Sequence, residues 1–449
     1  MTDSWIDEPG RRTAVLGEYE VVVLGGGPAG VMAAAAAARA GRSTILVERN
    51  GYTGGAGSAG GLSTFCGLHA RVHGEDRQVV HGLADELLER IDALEGLNPP
   101  HLSFANRILA QAYDISAYKI ALDDLLVESG VTLLFHALAV GVVMADESTV
   151  DALLVESKSG RGAIRGRVFV DGSGDGDLAA WAGAPYEKTD PAHGMLYPSL
   201  MFRINGVDPA VAATTNDLLP ALMEDAEQSG RYTFPRKRPI VRPQRNPLEY
   251  RANITQLSNA DGSAIDGTDV WQLSRGELQG RRQVRDVFPF YRREVPGFEA
   301  AYVVDIAPDI GIRETRRIVG AYQLSEDDIL DCADFPDAIG VNGWPVEAHV
   351  AGDVEIRWQR QPRGYNQLPF RMVVPQRLTN TYVVGRCASM THEGQSSARV
   401  TGPCFAMGQA AGTAADLVLS AGVAAGDVDV AKLQARLQED GAWLGGESR

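Results

Sequence analysis

The 449-residue sequence contains only four cysteines, and no two of them form a Cys-x-x-Cys motif. This spacing argues against a dithiol redox motif, a zinc ribbon and a cysteine-ligated iron–sulfur cluster. The histidines near residues 69–81 lack partnering acids in a recognisable pattern, so no metal site is predicted. We expect the cysteines to do no redox work in a reducing compartment; they are Cys66, Cys332, Cys387 and Cys404.

The sequence also lacks any apolar run close to the roughly 20 residues that a membrane-spanning helix needs. Arg11 and Arg12 are not followed by the apolar segment of a signal peptide. Basic residues are in deficit, with 42 Lys+Arg against 58 Asp+Glu and a net charge of −16, which disfavours nucleic-acid binding as the main function. We therefore expect a cytoplasmic protein without a membrane or nucleic-acid partner.

Glycine, by contrast, is abundant and clustered. The chain has 50 glycines, about 11 % against a usual share of roughly 7 %. One cluster, GGGPAG at 25–30, lies between the β-branched run 20–24 and the alanine-rich segment 31–40, and a second apolar run follows at 43–47. Strand, glycine turn, helix and strand within about 30 residues predict one βαβ unit.

The spacing Gly25-x-Gly27-x-x-Gly30 in this context predicts a dinucleotide site rather than a purely structural turn. Gly25 permits the tight turn, Gly27 lets a pyrophosphate approach the backbone, and Gly30 lets the helix pack on the strand. The helix N-terminus supplies N–H groups for the phosphates. Glu48, at the end of the next strand, is placed to hold the ribose hydroxyls.

Further glycine-rich segments favour FAD over NAD, because FAD is longer and its flavin end must be held elsewhere. Gly54-Gly55 can follow the pyrophosphate and ribityl chain, and Gly385-Arg386 lies at a later strand end. A helix over about 403–419, with Pro403 in its first turn, can stabilise negative charge on the reduced flavin.

The remaining pattern predicts an interrupted domain. Residues 114–130 read as a helix and 131–144, 150–157 and 163–170 as strands. From about 190 the glycines thin out and proline becomes frequent, and a strand of the earlier type returns at 382. We predict a leader at 1–17, a discontinuous FAD-binding domain at 18–190 and 366–449, and a substrate domain at 191–365.

The sequence resembles the FAD-dependent oxidoreductase family related to the glutathione-reductase and succinate-dehydrogenase flavoproteins. The resemblance rests on GGGPAG, on Glu48-Arg49 with TGG at 53–55, and on the segments 311–330 and 394–415. It implies an α/β fold: a glutathione-reductase-like Rossmann FAD-binding domain with an inserted, β-rich α+β substrate domain. The family usually has Gly-Asp where this chain has Gly385-Arg386.

The resemblance also implies a set of cofactor contacts. Val140 would meet the adenine through its backbone, and Gly172, within VDGSGDGD at 170–177, would be a second nucleotide contact; a plain turn is the alternative for that loop. Residues 50–64 hold no His, the residue that carries covalent flavin in the succinate-dehydrogenase relatives, so the FAD is predicted to be non-covalent. The predicted cofactor-binding residues are Gly25, Gly27, Pro28, Ala29, Gly30, Glu48, Arg49, Gly54, Gly55, Val140, Gly172, Gly385, Arg386, Arg399, Val400 and Gly402.

Two residues are candidates for the chemistry. His392 lies in a segment that the family geometry puts near the flavin, and His is readily poised near neutral pH; the alternative is a surface or core histidine. Arg313, in GIRETRR with Arg316 and Arg317, is predicted on one helical turn as an anchor for an anion. The alternative is a salt-bridged helix face.

The predicted function is hydride transfer between FAD and a small organic substrate, with an anionic group as one candidate feature. A flavin monooxygenase and a non-catalytic or RNA-modification-type FAD-binding protein are the alternatives. The electron partner and homo-oligomer formation stay open. The basic stretch 231–251 is read as a solvated loop or subunit contact, with a substrate funnel as the alternative.

Overall fold

The computed structural model describes Ile6 and residues 10–103, 107–192, 194–212 and 215–446. The strands are β1 (Ala14–Leu24), β2 (Thr44–Val47), β3 (Thr64–Phe65), β4 (His69–Val72), β5 (Glu75–Gln78), β6 (His101–Ser103), β7 (Ile108–Ala112), β8 (Thr132–Leu134), β9 (Leu138–Met144), β10 (Val150–Ser157), β11 (Gly160–Asp171), β12 (Tyr186–Lys188), β13 (Phe202–Asn205), β14 (Ile240–Pro243), β15 (Tyr250–Asn253), β16 (Tyr302–Ile306), β17 (Arg316–Ile318), β18 (Ala338–Asn342), β19 (Val346–Val350), β20 (Asp353–Arg357), β21 (Asn366–Pro369) and β22 (Thr381–Val383). The helices are α1 (Pro28–Arg39), α2 (Leu83–Ala93), α3 (Ile115–Glu128), α4 (Asp177–Trp181), α5 (Pro209–Ala212), α6 (Thr215–Gln228), α7 (Val270–Glu294), α8 (Glu326–Leu330), α9 (His392–Ala398), α10 (Thr401–Ala421) and α11 (Val430–Glu439).

The largest sheet combines a parallel part with an antiparallel meander. Strands β8, β2, β1, β11 and β22 lie side by side and pair in parallel. The long strand β11 also pairs antiparallel with β10, which in turn pairs with β9. Strand β1 begins at Ala14, so the predicted leader is wrong for residues 14–17, of which Ala14, Val15 and Gly17 pair with β11. The mixed α/β architecture agrees with the sequence prediction.

Helices α1 and α10 pack against each other so closely that glycine is required between them. A Cβ atom on Gly408 would lie 2.1 Å from the carbonyl oxygen of Ala29, and one on Gly412 would lie 2.2 Å from that of Ala33. The alanine-rich sequence of α1 therefore serves this contact, because small side chains let two helix backbones approach. The packing fixes the start of α10 relative to the first glycine turn.

A second hydrophobic core lies under a four-stranded antiparallel sheet with the order β14-β15-β13-β16. Its buried residues run from Leu200 to Ile310 and include Val284, Val287 and Phe290 of helix α7. The buried residues Leu324, Ile329, Ile339, Val341 and Val346 instead join the core around α1 and α10. The two cores thus divide near residue 310, whereas the sequence places the end of the inserted domain at 365.

Helix α3 shows why some elements are readable from the sequence. Its N-cap residue, Asp114, accepts a hydrogen bond from the N–H of Ala117 at 2.9 Å. The spacing of Ile115, Tyr118, Leu122 and Leu125 predicts one apolar helix face; the last three are buried and Ile115 is half-buried. In the part of the chain that is described, no helix combines the length and apolar character needed to cross a membrane.

Candidate active site

The carboxyl ends of the parallel strands meet at the first glycine turn. The N–H of Gly25 donates to the carbonyl of Val47 at the end of β2, and the N–H of Gly172 donates to that of Leu24 at the end of β1. The N–H of Val384, just after β22, donates to the carbonyl of Asp171 at the end of β11. Ligands of open α/β sheets bind in a crevice at these strand ends.

The three glycines of the turn have different surroundings. Gly25 has a φ of +94°, and a Cβ on Gly30 would lie 1.9 Å from the carbonyl oxygen of Gly25. Gly27, the N-cap of α1, has a φ of −70° that other residues adopt readily. Among the described residues, the atom nearest to a Cβ on Gly27 would be the carbonyl oxygen of Gly172, at 3.9 Å. Its protein environment leaves the space that a pyrophosphate would need.

The start of α1 supplies donors for that space. Gly27 makes no side-chain capping hydrogen bond, and Pro28 has no N–H to satisfy. An uncapped helix N-terminus combines unpaired N–H groups with a partial positive charge, the combination that phosphates require. The residues present at 25–30 therefore fit the phosphates of a dinucleotide.

Glu48 is buried and already holds two backbone groups. Its carboxylate accepts the N–H of Gly26 through Oε2 and the N–H of Asn50 through Oε1, each at 2.8 Å. Burial raises the pKa of Glu48, and these two hydrogen bonds oppose the rise. Each oxygen keeps a second lone pair, so the side chain can still accept a ribose hydroxyl.

The later glycine segments fold back on the same turn. The N–H of Gly54 donates to the carbonyl of Gly26 at 2.7 Å. A Cβ on Gly55 would lie 3.0 Å from the Cα of Gly27, and one on Gly385 would lie 3.2 Å from the Cβ of Ala29. Segments from distant parts of the chain thus surround one crevice, where the sequence predicts the cofactor.

Two other predicted cofactor contacts already have protein partners. Arg386 donates from Nε to the carbonyl of Gly174 at 2.8 Å, from Nη2 to Asp175 at 2.7 Å, and from Nη1 to the carbonyl of Ile312. The N–H of Gly402 donates to the carbonyl of Cys66 at 2.9 Å. Both residues therefore tie segments of the fold together, and their contact with FAD stays a prediction.

Arg49 and Val140 lie at the periphery of this region. The Arg49 side chain is exposed, and its Nη2 lies 3.9 Å from the carboxylate of Asp309. Val140 lies at an irregularity in strand β9, where Ala139 and Gly141 pair with consecutive residues of β10. Such bulges re-aim the backbone, and the contact of Val140 with an adenine ring stays a prediction.

The helical interpretation of GIRETRR is wrong. Arg316 begins strand β17, which pairs antiparallel with β12, and residues 312–314 are not helical. Arg313 and Arg317 therefore do not share a helix face. Pairing with β12 and burial of Glu314 decide the conformation here, since local helix propensity is a weak prior that tertiary context overrides.

His392 is held by a buried carboxylate. Its Nδ1 lies 3.0 Å from Oε1 of Glu314 and 3.3 Å from the hydroxyl of Thr189. Glu314 is 1 % exposed, also contacts Arg317 and Thr189, and accepts the N–H of Leu196 at 3.0 Å. Burial favours the neutral acid, but the hydrogen bond with His392 and its charge prevail and lower the pKa of Glu314.

This contact orients the imidazole ring. Because an ionised carboxylate only accepts hydrogen bonds, Nδ1 of His392 carries the hydrogen and Nε2 is the nitrogen that can exchange a proton. Thr391 caps helix α9 by accepting the N–H of Gly394 at 3.1 Å, which fixes His392 in the first turn. The sequence predicted His392 as a candidate catalytic residue but did not predict its partner, Glu314.

Arg313 directly precedes Glu314, but its side chain binds a different segment. Its Nη1 donates to the carbonyl of Tyr197 at 2.6 Å and its Nη2 donates to the hydroxyl of Ser199 at 2.8 Å. Burial and the positive charges of Arg399 and Arg236 hold the pKa of Arg313 well below its usual value. The two predicted catalytic residues, Arg313 and His392, are thus linked indirectly: His392 pairs with Glu314, and Glu314 directly follows Arg313 in the chain.

Two arginines of the basic stretch are buried near Arg313. Arg236 and Arg251 are each 2 % exposed, so the solvated-loop interpretation of 231–251 is wrong for both. Burial lowers the pKa of Arg236 to about 10 and, with the charge of Arg242, that of Arg251 to about 9. The local sequence does not mark these two arginines as buried, because charged residues also alternate with apolar ones on the solvated face of a strand.

One acid and one histidine lie within the same buried cluster. Glu347 accepts from Nε1 of Trp344 at 2.8 Å and lies 3.3 Å from Nε2 of His349. Burial opposes ionisation of Glu347, but its hydrogen bonds with His349 and Trp344 and the charge of Arg399 lower its pKa. Burial and the charge of Arg313 lower the pKa of His349 well below its usual range, so His349 is neutral.

The cysteines are poor nucleophiles in these surroundings. Burial and the charge of Glu347 raise the pKa of Cys66 to about 11, and burial raises that of Cys404 to about 12. Burial also raises the pKa of Cys332 and Cys387. A thiol must ionise to act as a nucleophile, so these values disfavour thiolate chemistry.

We therefore expect each single Cys→Ala variant to keep its flavin reduction within a fewfold of the parent. Anaerobic stopped-flow reduction, corrected for bound FAD, checks this. A variant that retains FAD but loses reduction would identify a redox-active cysteine and contradict the expectation.

Comparison with solved structures finds distant likenesses. A geranylgeranyl bacteriochlorophyll reductase-like protein from Thermoplasma acidophilum is 12 % identical, with 94 % of this chain and 83 % of that chain covered and a TM-score of 0.48. The p-nitrophenol 4-monooxygenase from Pseudomonas putida DLL-E4 is 12 % identical, with 94 % and 81 % covered and a TM-score of 0.45. The myxobacterial chondrochloren halogenase is 13 % identical, with 94 % and 78 % covered and a TM-score of 0.46.

The sequence profile of one protein family matches nearly the whole chain. The family is described as FAD dependent oxidoreductase, and the match covers residues 20–437. That span includes the glycine turn, the strand-end crevice, His392 and the buried arginines. The chain therefore belongs to the FAD dependent oxidoreductase family, and it is an enzyme with FAD as its cofactor.

Proposed function

We propose that this enzyme transfers a hydride between FAD and a small organic substrate. The observation that carries the proposal is the contact between His392 and the buried, ionised Glu314. Removing a hydride from an alcohol or amine also requires the loss of a proton, and the reverse reaction requires its return. An oriented histidine with one free nitrogen is suited to that exchange.

In the proposed mechanism, FAD when bound supplies the group that exchanges the hydride. The residues at 25–30 and Glu48 would hold its phosphates and ribose. Nε2 of His392 takes the proton from the substrate during oxidation and returns it during reduction. Glu314 keeps Nδ1 protonated and stabilises the imidazolium that forms when Nε2 takes the proton.

An anaerobic substrate screen tests the reaction class. Under hydride transfer, a small donor alone bleaches the flavin absorbance in the absence of oxygen. A monooxygenase would instead need a nicotinamide reductant and would consume oxygen while hydroxylating its substrate. Flavin that is reduced only by the nicotinamide, with a hydroxylated product formed in air, would overturn the proposal.

We also expect the FAD to be non-covalent, because residues 50–64 contain no histidine for attachment. Acid precipitation of the purified protein should leave the yellow colour in the supernatant, with the mass of intact FAD. A pellet that stays yellow, and a protein mass increased by that of the flavin, would contradict this.

A further inference from the structure

Arg236 is a buried charge that has no hydrogen-bond partner within the described part of the chain. Its side chain is 2 % exposed, and none of Nε, Nη1 and Nη2 has a hydrogen-bond partner among the described residues. Nε of Arg251, which is equally buried, also lacks one in that part of the chain. Arginine is almost never fully buried unless it is paired, since an unpaired buried charge is costly.

The positive charge around Arg236 exceeds the negative charge. The charges of Arg236, Arg251 and Arg399 all act on Arg313, and the charge of Arg236 also acts on Arg251. We call these four residues the arginine cluster. Glu347 acts on several of them, but it also binds Trp344 and lies beside neutral His349.

Other acids near the arginine cluster are committed elsewhere. Glu314, whose charge reaches Arg399, pairs with Arg317 and His392. Asp353, whose charge reaches Arg236, lies 3.0 Å from Nε of Arg238. The cluster therefore retains a net positive charge that a bound anion would balance.

The arginine cluster borders the segments that are predicted to hold the flavin. Arg399 directly precedes Val400, the N-cap of α10. Nη2 of Arg251 donates to the hydroxyl of Thr64 at 3.0 Å, and the nearby Cys66 carbonyl accepts the N–H of Gly402. Arg313 adjoins Glu314, the partner of His392. The cluster thus lies between the FAD-binding segments, the proton-transfer pair and the second core.

We propose that the arginine cluster binds an oxoanion group of the substrate, a carboxylate or a phosphate, with Arg236 as its main donor. This inference rests on the proposed function insofar as the bound anion is the substrate. Guanidinium matches both groups because its N–H donors can bind two oxygens side by side. The anionic group would anchor the substrate while its reacting carbon faces the flavin and its proton faces His392.

Anion binding is measured at equilibrium on the FAD-loaded protein, without turnover. Sodium acetate and inorganic phosphate are titrated at constant ionic strength, and acetamide serves as the neutral control. The readouts are the flavin difference spectrum and the shift of the thermal unfolding midpoint. We expect saturable binding of at least one anion and none of acetamide, and the tighter anion identifies the class of substrate group.

Arg236→Met tests the residue itself. It should weaken anion binding about tenfold to a hundredfold, as expected for the loss of charge-assisted hydrogen bonds. The matched control is Lys237→Met, because Lys237 directly follows Arg236 in the chain but is exposed. Lys237→Met should bind the anion as the parent does.

The unfolding midpoint without added anion separates a ligand-binding arginine from a structural one. Replacing an unpaired buried charge with an apolar side chain should leave the midpoint unchanged or raise it. Parental anion affinity in Arg236→Met overturns the proposal. Equal responses of the parent to acetate, phosphate and acetamide also overturn it, even if the variant does not fold. Because no reaction is followed, these outcomes are distinct from failure of the hydride-transfer proposal.

Discussion

Gly27→Val should yield a folded protein that purifies almost without flavin. A Cβ at this position would lie 3.9 Å from its nearest neighbour among the described residues, the carbonyl oxygen of Gly172. The valine side chain would enter the space assigned to the pyrophosphate. Loss of a charge-assisted hydrogen bond costs about 1.5–3 kcal/mol, and steric intrusion costs about 1–3 kcal/mol. Since 1.4 kcal/mol is tenfold in affinity, we expect FAD binding to weaken by about a hundredfold or more. Flavin absorbance per protein and titration of the apoprotein with FAD measure the effect.

Gly30→Ala is the matched control for a structural role. Its Cβ would lie 1.9 Å from the carbonyl oxygen of Gly25, so this variant should lose stability whether or not FAD is present. Circular dichroism and the unfolding midpoint of the apoproteins distinguish the two variants. A Gly27→Val protein that binds FAD as tightly as the parent would show that the pyrophosphate lies elsewhere.

His392→Ala should lower the rate of flavin reduction by about 10²–10⁴-fold, the usual contribution of a general acid or base. The side chain is in the first turn of α9 and only partly buried, so its removal should not disturb the core. Rapid anaerobic reduction across substrate concentrations measures the limiting rate separately from substrate affinity. Normal FAD content is the control for folding, and a parental limiting rate would exclude His392 as the proton-transfer group.

Glu314→Gln tests whether Glu314 positions and charges His392. The amide keeps a hydrogen-bond acceptor but removes the negative charge. A proton is released more easily without a neighbouring negative charge. The ascending limb of the rate–pH profile, where a base loses its proton, should therefore move to lower pH. Glu393→Gln, next to His392 in α9, is the matched control, and an unchanged profile in Glu314→Gln would leave Glu314 a structural role only.

Local sequence patterns were sufficient to predict the helices and strands whose defining residues lie within a few tens of residues of one another. The first strand, glycine turn, α1 and β2 follow from an apolar β-branched run, a glycine spacing and an alanine-rich segment. Asp114 and the apolar spacing of 115–125 likewise predict α3. In these segments the backbone conformation and the buried face are set by neighbours in the chain, so periodicity and capping residues are enough.

The environment of the charged residues depended on the tertiary structure. GIRETRR has the charge spacing of a solvated helix, yet pairing with β12 makes part of it a strand and buries Glu314 beneath His392. Arg236 lies in a segment whose composition predicts exposure, yet packing around the second core buries it. Composition reports the charge of a side chain but not the distant segments that surround it. Burial and pairing, which decide whether such a charge is solvated or available to a ligand, arise only when those segments meet.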